Sequence, residues 1–73
     1  MNISIFGLGY VGCVSAACLA RDGYHIIGVD INPLKIESIR RGRSPIIEPG
    51  LEPLIAEGVA AGRIEATDDV EYA

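Results

Sequence analysis

Apolar and polar positions change period several times along the chain, and each change marks an element. From Asn2 to Phe6 they alternate, with β-branched Ile3 and Ile5, which is the period and composition of a strand. From Tyr10 to Asp22 the alternation gives way to small apolar residues (Val11, Val14, Ala16, Ala17, Cys18, Leu19, Ala20), suited to a largely buried helix lying close to a sheet. Arg21 and Asp22 mark its wet end, and Gly23 its stop. Tyr24 to Val29 is a short apolar run with Ile26, Ile27 and Val29, the signature of an interior parallel strand covered on both faces. Asn32 and Pro33 then read as N-cap and first helical residue, with Ile31 and Ile36 at the two staple positions around the cap. That helix is predicted to run to about Arg41, where Arg40 and Arg41 complement its negative end and Gly42 closes it.

Arg43 to Gly50 holds two prolines with Ile46 and Ile47 between them, which predicts an extended linker that tucks both apolar side chains inward. Leu51, Leu54, Ile55 and Val59 repeat at helical spacing from a start near Gly50. Pro53 belongs in the first turn, Gly58 weakens the helix and Gly62 ends it. Arg63 to Thr67 alternates again, with Ile64 and Ala66 inward, as a short third strand at a sheet edge. Asp68, followed three positions later by Glu71, fits an N-cap and the start of another helix. Strands alternating with helices predict an α/β fold: a Rossmann-type parallel sheet with flanking helices, of which about three strands, the first half, are present.

Composition narrows the function more than the fold. The 73 residues are 49% apolar with mean hydropathy +0.33, too apolar for a disordered chain. A domain this small buries only about 60% of its unfolded surface, so residues 1–73 are expected to be the N-terminal part of a longer protein's dinucleotide-binding domain. Net charge −4 and pI near 4.7 argue against nucleic acid as a partner, since the basic run Arg40-Arg41-x-Arg43 is short and reads as a solvated helix end. The sequence shows neither a membrane-spanning run nor a signal peptide, which makes the cytoplasm the expected location and leaves no membrane partner. Cys13 and Cys18, at i and i+5 on one helix, match no metal or redox spacing and point in different directions, so buried thiols are expected rather than a disulfide. No metal ligand set is predicted.

The candidate chemistry sits where the first strand ends. Gly7, Gly9 and Gly12 have the G-x-G-x-x-G spacing of a dinucleotide-binding turn: the first glycine for the turn, the second for backbone approach to a pyrophosphate, the third for close helix–strand packing. The helix after it aims free N–H groups at the phosphates. Asp30, at the carboxyl end of the next strand, opens onto the same crevice, where its carboxylate can accept both ribose hydroxyls and repel a 2′-phosphate, favouring NAD over NADP. The bland reading of Asp30 is a turn or cap residue before Asn32-Pro33. Lys35 is poorly placed for its helix dipole, so either a ribose or phosphate of the dinucleotide compensates it or it is simply solvated. Glu48 either serves a site or caps the following helix.

With these residues in view the sequence resembles the UDP-glucose/GDP-mannose dehydrogenase family, specifically its N-terminal NAD-binding domain. The resemblance rests on Gly7-Leu8-Gly9-Tyr10-Val11-Gly12, Gly28-Val29-Asp30, Lys35-Ile36, and above all Ser44-Pro45-Ile46-Ile47-Glu48-Pro49-Gly50-Leu51 followed by Gly62-Arg63. It is greatest to the GDP-mannose 6-dehydrogenase branch, with UDP-glucose 6-dehydrogenase as the alternative. The resemblance implies oxidation of a sugar C6 alcohol to a carboxylate with two NAD per turnover, through a cysteine-linked thiohemiacetal and thioester, in a homodimer acting on a nucleotide sugar. It places the nucleophilic cysteine far downstream, so neither Cys13 nor Cys18 takes that role and no catalytic residue is assigned. It implies cofactor contacts at Tyr10 and Val11 on the glycine turn, at Asp30 for the adenosine ribose, and at Lys35 for the same end. Two other readings share the fingerprint: a regulatory nucleotide-sensing domain of a transporter, and another Rossmann dehydrogenase acting on a hydroxy acid or acyl-CoA.

Overall fold

The computed structural model describes residues 2–72. In chain order the elements are β1 (Asn2–Phe6), α1 (Tyr10–Arg21), β2 (His25–Val29), α2 (Pro33–Arg40), α3 (Leu51–Ala60) and β3 (Ile64–Thr67). Among the described residues the strands form one sheet in the order β1-β2-β3, and both pairings are parallel. The α/β, Rossmann-type arrangement expected from the sequence is therefore observed, with β2 as the interior strand and β3 at an edge.

Register explains the core. Ile3 pairs with Ile26 and Ile26 with Ile64, while Ile5, Gly28 and Ala66 form the next row, so these side chains share one face. That face meets Cys13, Ala16, Ala17 and Ala20 of α1, Ile36 and Ile39 of α2, and Leu51 and Ile55 of α3 in a single cluster. The small residues of α1 let it lie close to the sheet, in keeping with their sequence pattern.

The other face carries no helix among the described residues, although Ile27 and Val29 are buried on it, so the expectation of cover on both sides of β2 is met by burial but not by a second helical layer. A polar chain crosses that face instead. Asn2 pairs with His25 (3.2 Å), His25 with Glu65, and Glu65 accepts from the Tyr72 hydroxyl at 2.5 Å.

The helix ends follow the sequence closely. Each helix closes with the same six-to-one bond of a Schellman turn: Tyr24 N–H to Leu19 O (3.1 Å), Arg43 N–H to Ser38 O (2.8 Å) and Arg63 N–H to Gly58 O (2.8 Å). Asn32 caps α2 by accepting the Leu34 amide at 2.9 Å, with Pro33 at its first position.

Other local expectations need correction. Ile31 is 93% exposed, so no staple with the buried Ile36 forms. Ile46 packs on the core, but Ile47 points into solvent, because an extended segment places successive side chains on opposite sides. Arg40 reaches across to donate to Ala66 O of β3 at 3.1 Å, and Arg41 pairs with Glu37. The cap after β3 is Asp69 rather than Asp68: its carboxylate accepts the amides of Glu71 (3.0 Å) and Tyr72 (3.3 Å), and the segment is a turn among the described residues. Gly58 has a packing reason, since a Cβ there would stand 2.4 Å from Cδ1 of Ile64.

Candidate dinucleotide-binding site

The carboxyl ends of β1 and β2 lie side by side, with Phe6 paired to Val29. The segments leaving these two strands therefore open on the same rim of the sheet. After β1 the chain enters α1 through only Gly7, Leu8 and Gly9. Gly7 makes the reversal at φ +96, a left-handed value that a Cβ would penalise. Its N–H donates to Val29 O at 2.7 Å, so the turn starts as an extension of the β1–β2 ladder. A Cβ on Gly12 would sit 1.9 Å from the Gly7 carbonyl oxygen, a backbone atom that cannot swing away. The third glycine thus sets how closely α1 approaches the turn.

The donor chemistry of this rim fits a phosphate. Gly9 is the N-cap of α1 and offers no side-chain acceptor, and the first turn contains no acidic residue. The first amides of α1 are therefore uncapped by side chains, at the positive end of the helix dipole. No atom outside the adjoining residues lies within 4 Å of where a Cβ would stand on Gly7 or Gly9, which leaves the backbone open to an approaching group. A surface pocket of about 640 Å³ adjoins the turn, lined by Phe6, Gly7, Gly9, Tyr10, Val11 and Gly12, with other residues of β1 and α1. Tyr10 and Val11 both present exposed side chains there, Val11 at 74%.

Asp30 faces the turn from β2. One carboxylate oxygen accepts the Leu8 amide at 2.8 Å and the other accepts the Asn32 amide at 2.8 Å. These bonds, the Leu8 bond foremost, hold the Asp30 carboxyl below the ordinary carboxylate range, and the nearby Lys35 charge adds to the effect. A carboxylate offers about four acceptor positions, so each oxygen keeps capacity for a hydroxyl donor after these two bonds. The turn role and the ligand role of Asp30 are thus compatible in one side chain. Lys35 lies half-buried in the first turn of α2, and its charge is felt at both Asp30 and Cys13.

The structure thus brings Gly7, Gly9, Gly12, Tyr10, Val11 and Asp30 to one rim, with Lys35 on the α2 side of it. Beside Asp30 the apolar side chains of Ile31 and Leu34 project into solvent, 93% and 76% exposed. Staple spacing hides this exposure of Ile31 in the sequence. Glu48 lines a separate shallow pocket with Tyr10, Val14, Cys18 and Pro49, and its carbonyl accepts the Leu51 amide at 3.1 Å. Cys13 is buried and Cys18 half-buried, both as free thiols.

Comparison with known proteins gives this rim a context. The model of the UDP-glucose/GDP-mannose dehydrogenase family, NAD binding domain, matches residues 1–73. The chain is 56% identical over 73 residues to a GDP-mannose 6-dehydrogenase of Azotobacter vinelandii, covering 100% of this chain and 17% of that protein. It is 45% identical over 73 residues to a UDP-glucose 6-dehydrogenase of Rhizobium meliloti, again covering 100% of this chain and 17% of that one. Among solved structures, a ternary complex of GDP-mannose dehydrogenase from Pseudomonas aeruginosa superposes with TM-score 0.92 at 55% identity, over 94% of this chain and 16% of that one. The chain spans about a sixth of the length of these relatives. None of these matches supports a transporter's nucleotide-sensing domain. With its full length matched by that family model, the chain belongs to the UDP-glucose/GDP-mannose dehydrogenase family, as part of its NAD-binding domain.

Proposed function

We propose that residues 1–73 form the first half of the NAD-binding domain of a longer nucleotide-sugar 6-dehydrogenase. The observation that carries the reading is the meeting of two features at one amide: Asp30 grips Leu8 N–H at the point where the uncapped α1 begins. In this reading the amides of the turn and of the first turn of α1 hold the pyrophosphate, and Tyr10 and Val11 bound it on the α1 side. Asp30 accepts the adenosine ribose hydroxyls, and its charge disfavours a 2′-phosphate, selecting NAD. Ile31 and Leu34 give the neighbouring base an apolar surface, and Lys35 supports the same end. Bound NAD supplies the hydride acceptor for oxidation of the sugar C6 alcohol. The residues here bind and orient it, while the nucleophile and the sugar pocket belong to sequence after Ala73.

GDP-mannose is the favoured substrate, because identity to the GDP-mannose enzyme exceeds that to the UDP-glucose enzyme over the same residues. A homodimer in the cytoplasm is the expected setting. Cys13 is unsuited to covalent catalysis, since burial raises its thiol pKa and its Sγ donates to Leu8 O at 3.3 Å. The reading is tested by assaying the full polypeptide with NAD and either GDP-mannose or UDP-glucose. NADH formation is expected, faster with GDP-mannose, and no NADH with either sugar nucleotide contradicts the proposal.

A further inference from the structure

Leu8 is a variable position of the G-x-G-x-x-G pattern, yet it is 1% exposed and held at every part of its structure. Its N–H donates to Asp30 and its carbonyl accepts from the Cys13 thiol. Its side chain lies over Gly28 of β2, where a Cβ would meet Leu8 Cδ2 at 2.6 Å and both Cγ and Cδ1 at 3.4 Å. Gly28 is thus a socket in the centre of the sheet, opposite Ile5 and Ala66, and the leucine fills it. A leucine tip can normally swing away from an added methyl. This one is enclosed in the core, so displacement passes to its backbone, which is the glycine turn itself.

We infer that Leu8 is the positioning residue through which β2 sets the dinucleotide turn, and that Gly28 is glycine because the Leu8 side chain must seat there. This rests on the NAD-binding reading for its consequence, but not for its geometry. Gly7 and Gly9 give the turn its shape, while the Leu8–Gly28 contact fixes its height above the sheet. A shift of about 1 Å in a turn that must present several amides to one pyrophosphate is enough to weaken binding by about tenfold or more.

The test compares Gly28→Ala, Leu8→Ala, the compensated pair Leu8→Val/Gly28→Ala, and Gly58→Ala in the full polypeptide. Gly58→Ala is the control, because it inserts a methyl 2.4 Å from Ile64, away from the turn. Gly28→Ala is expected to raise the NAD Kd by about tenfold or more. Leu8→Ala should raise it too, by freeing the turn. The compensated pair, which restores core volume, should return the Kd to within about threefold of wild type. Gly58→Ala should lower the melting temperature and leave the NAD Kd unchanged.

Amide hydrogen exchange without ligand supplies a readout independent of NAD. Gly28→Ala and Leu8→Ala should speed exchange at Gly7 and Leu8 by about tenfold or more relative to β3 amides. If the wild-type polypeptide fails to bind NAD, the proposed function fails and the exchange pattern still decides the positioning role. Unchanged exchange at Gly7 and Leu8 in the variants overturns the inference. So does a Gly58→Ala effect on the NAD Kd equal to that of Gly28→Ala, or a compensated pair that recovers nothing.

Discussion

The turn between β1 and α1 is tied to the sheet on several sides, whereas the segment from Ser44 to Gly50 is tied largely to itself. In the turn, Gly7 bonds to Val29, Leu8 to Asp30, and Cys13 back to Leu8. In the segment, the Ser44 hydroxyl donates to Ile46 O at 2.6 Å and accepts the Ile46 amide at 3.2 Å, while Ile46 alone of the two isoleucines packs on the core. The contrast separates two kinds of specificity. The turn is fixed by its bonds to β2 and by the close approach of Gly12 to the Gly7 carbonyl, so its sequence is constrained by its own geometry. The Ser44–Gly50 stretch carries much of the family resemblance, yet its fold asks little of the exposed Ile47 side chain.

Four changes sharpen that contrast, in falling order of effect. Gly12→Ala places a methyl 1.9 Å from the Gly7 carbonyl oxygen, so the turn and α1 cannot both keep their places. NAD binding should be abolished and the melting temperature should fall, as calorimetry and a binding titration would show. Asp30→Ala removes a charged acceptor from the rim, and NAD affinity should drop by about tenfold or more while circular dichroism stays native. Unchanged affinity would reduce Asp30 to a turn residue. Gly58→Ala overpacks α3 against Ile64 and should cost about 1–3 kcal/mol of stability by denaturant unfolding, with NAD binding intact. Ser44→Ala loses a local bond at a half-buried site and should cost about 1 kcal/mol or less, again with NAD binding intact. If Ser44→Ala weakens NAD binding as much as Asp30→Ala, the two regions are not separate in function.

Acid should discriminate the regions as well. Asp30 has its folded-state pKa depressed by the Leu8 and Asn32 amides, so its contribution is fully present above the ordinary carboxylate range and is lost as pH falls through the folded value. Protection of the Leu8 amide should therefore fade on acidification before that of β2 and β3 amides. Glu65, held low by the Tyr72 hydroxyl and by His25, predicts a second acid-sensitive site on the opposite sheet face.

Much of this is legible in the sequence because it depends on short-range chemistry. Alternation in β1, small residues in α1, Asn32-Pro33 before α2 and a glycine after each helix all act within a few residues, and all take the predicted form. Some of the features that mislead depend on contacts between different elements. Ile31 satisfies the staple spacing, but it stands in solvent while Ile36 is buried. Gly58 looks like a helix weakness until Ile64 is found against it, and Leu8 looks like a free position until Gly28 is found beneath it. Asp68 and Asp69 both suit a cap, and local bonding selects Asp69.

The central claim is that NAD binds on the rim formed by the glycine turn and Asp30. Titrating NAD into the isotopically labelled full polypeptide while tracking backbone amide shifts tests it most directly. The largest shifts are expected at Gly7, Gly9, Tyr10, Val11 and Asp30. No shifts, or shifts confined to the groove of about 460 Å³ beside β3 that is lined by Arg40, Thr67, Asp69 and Tyr72, would contradict it.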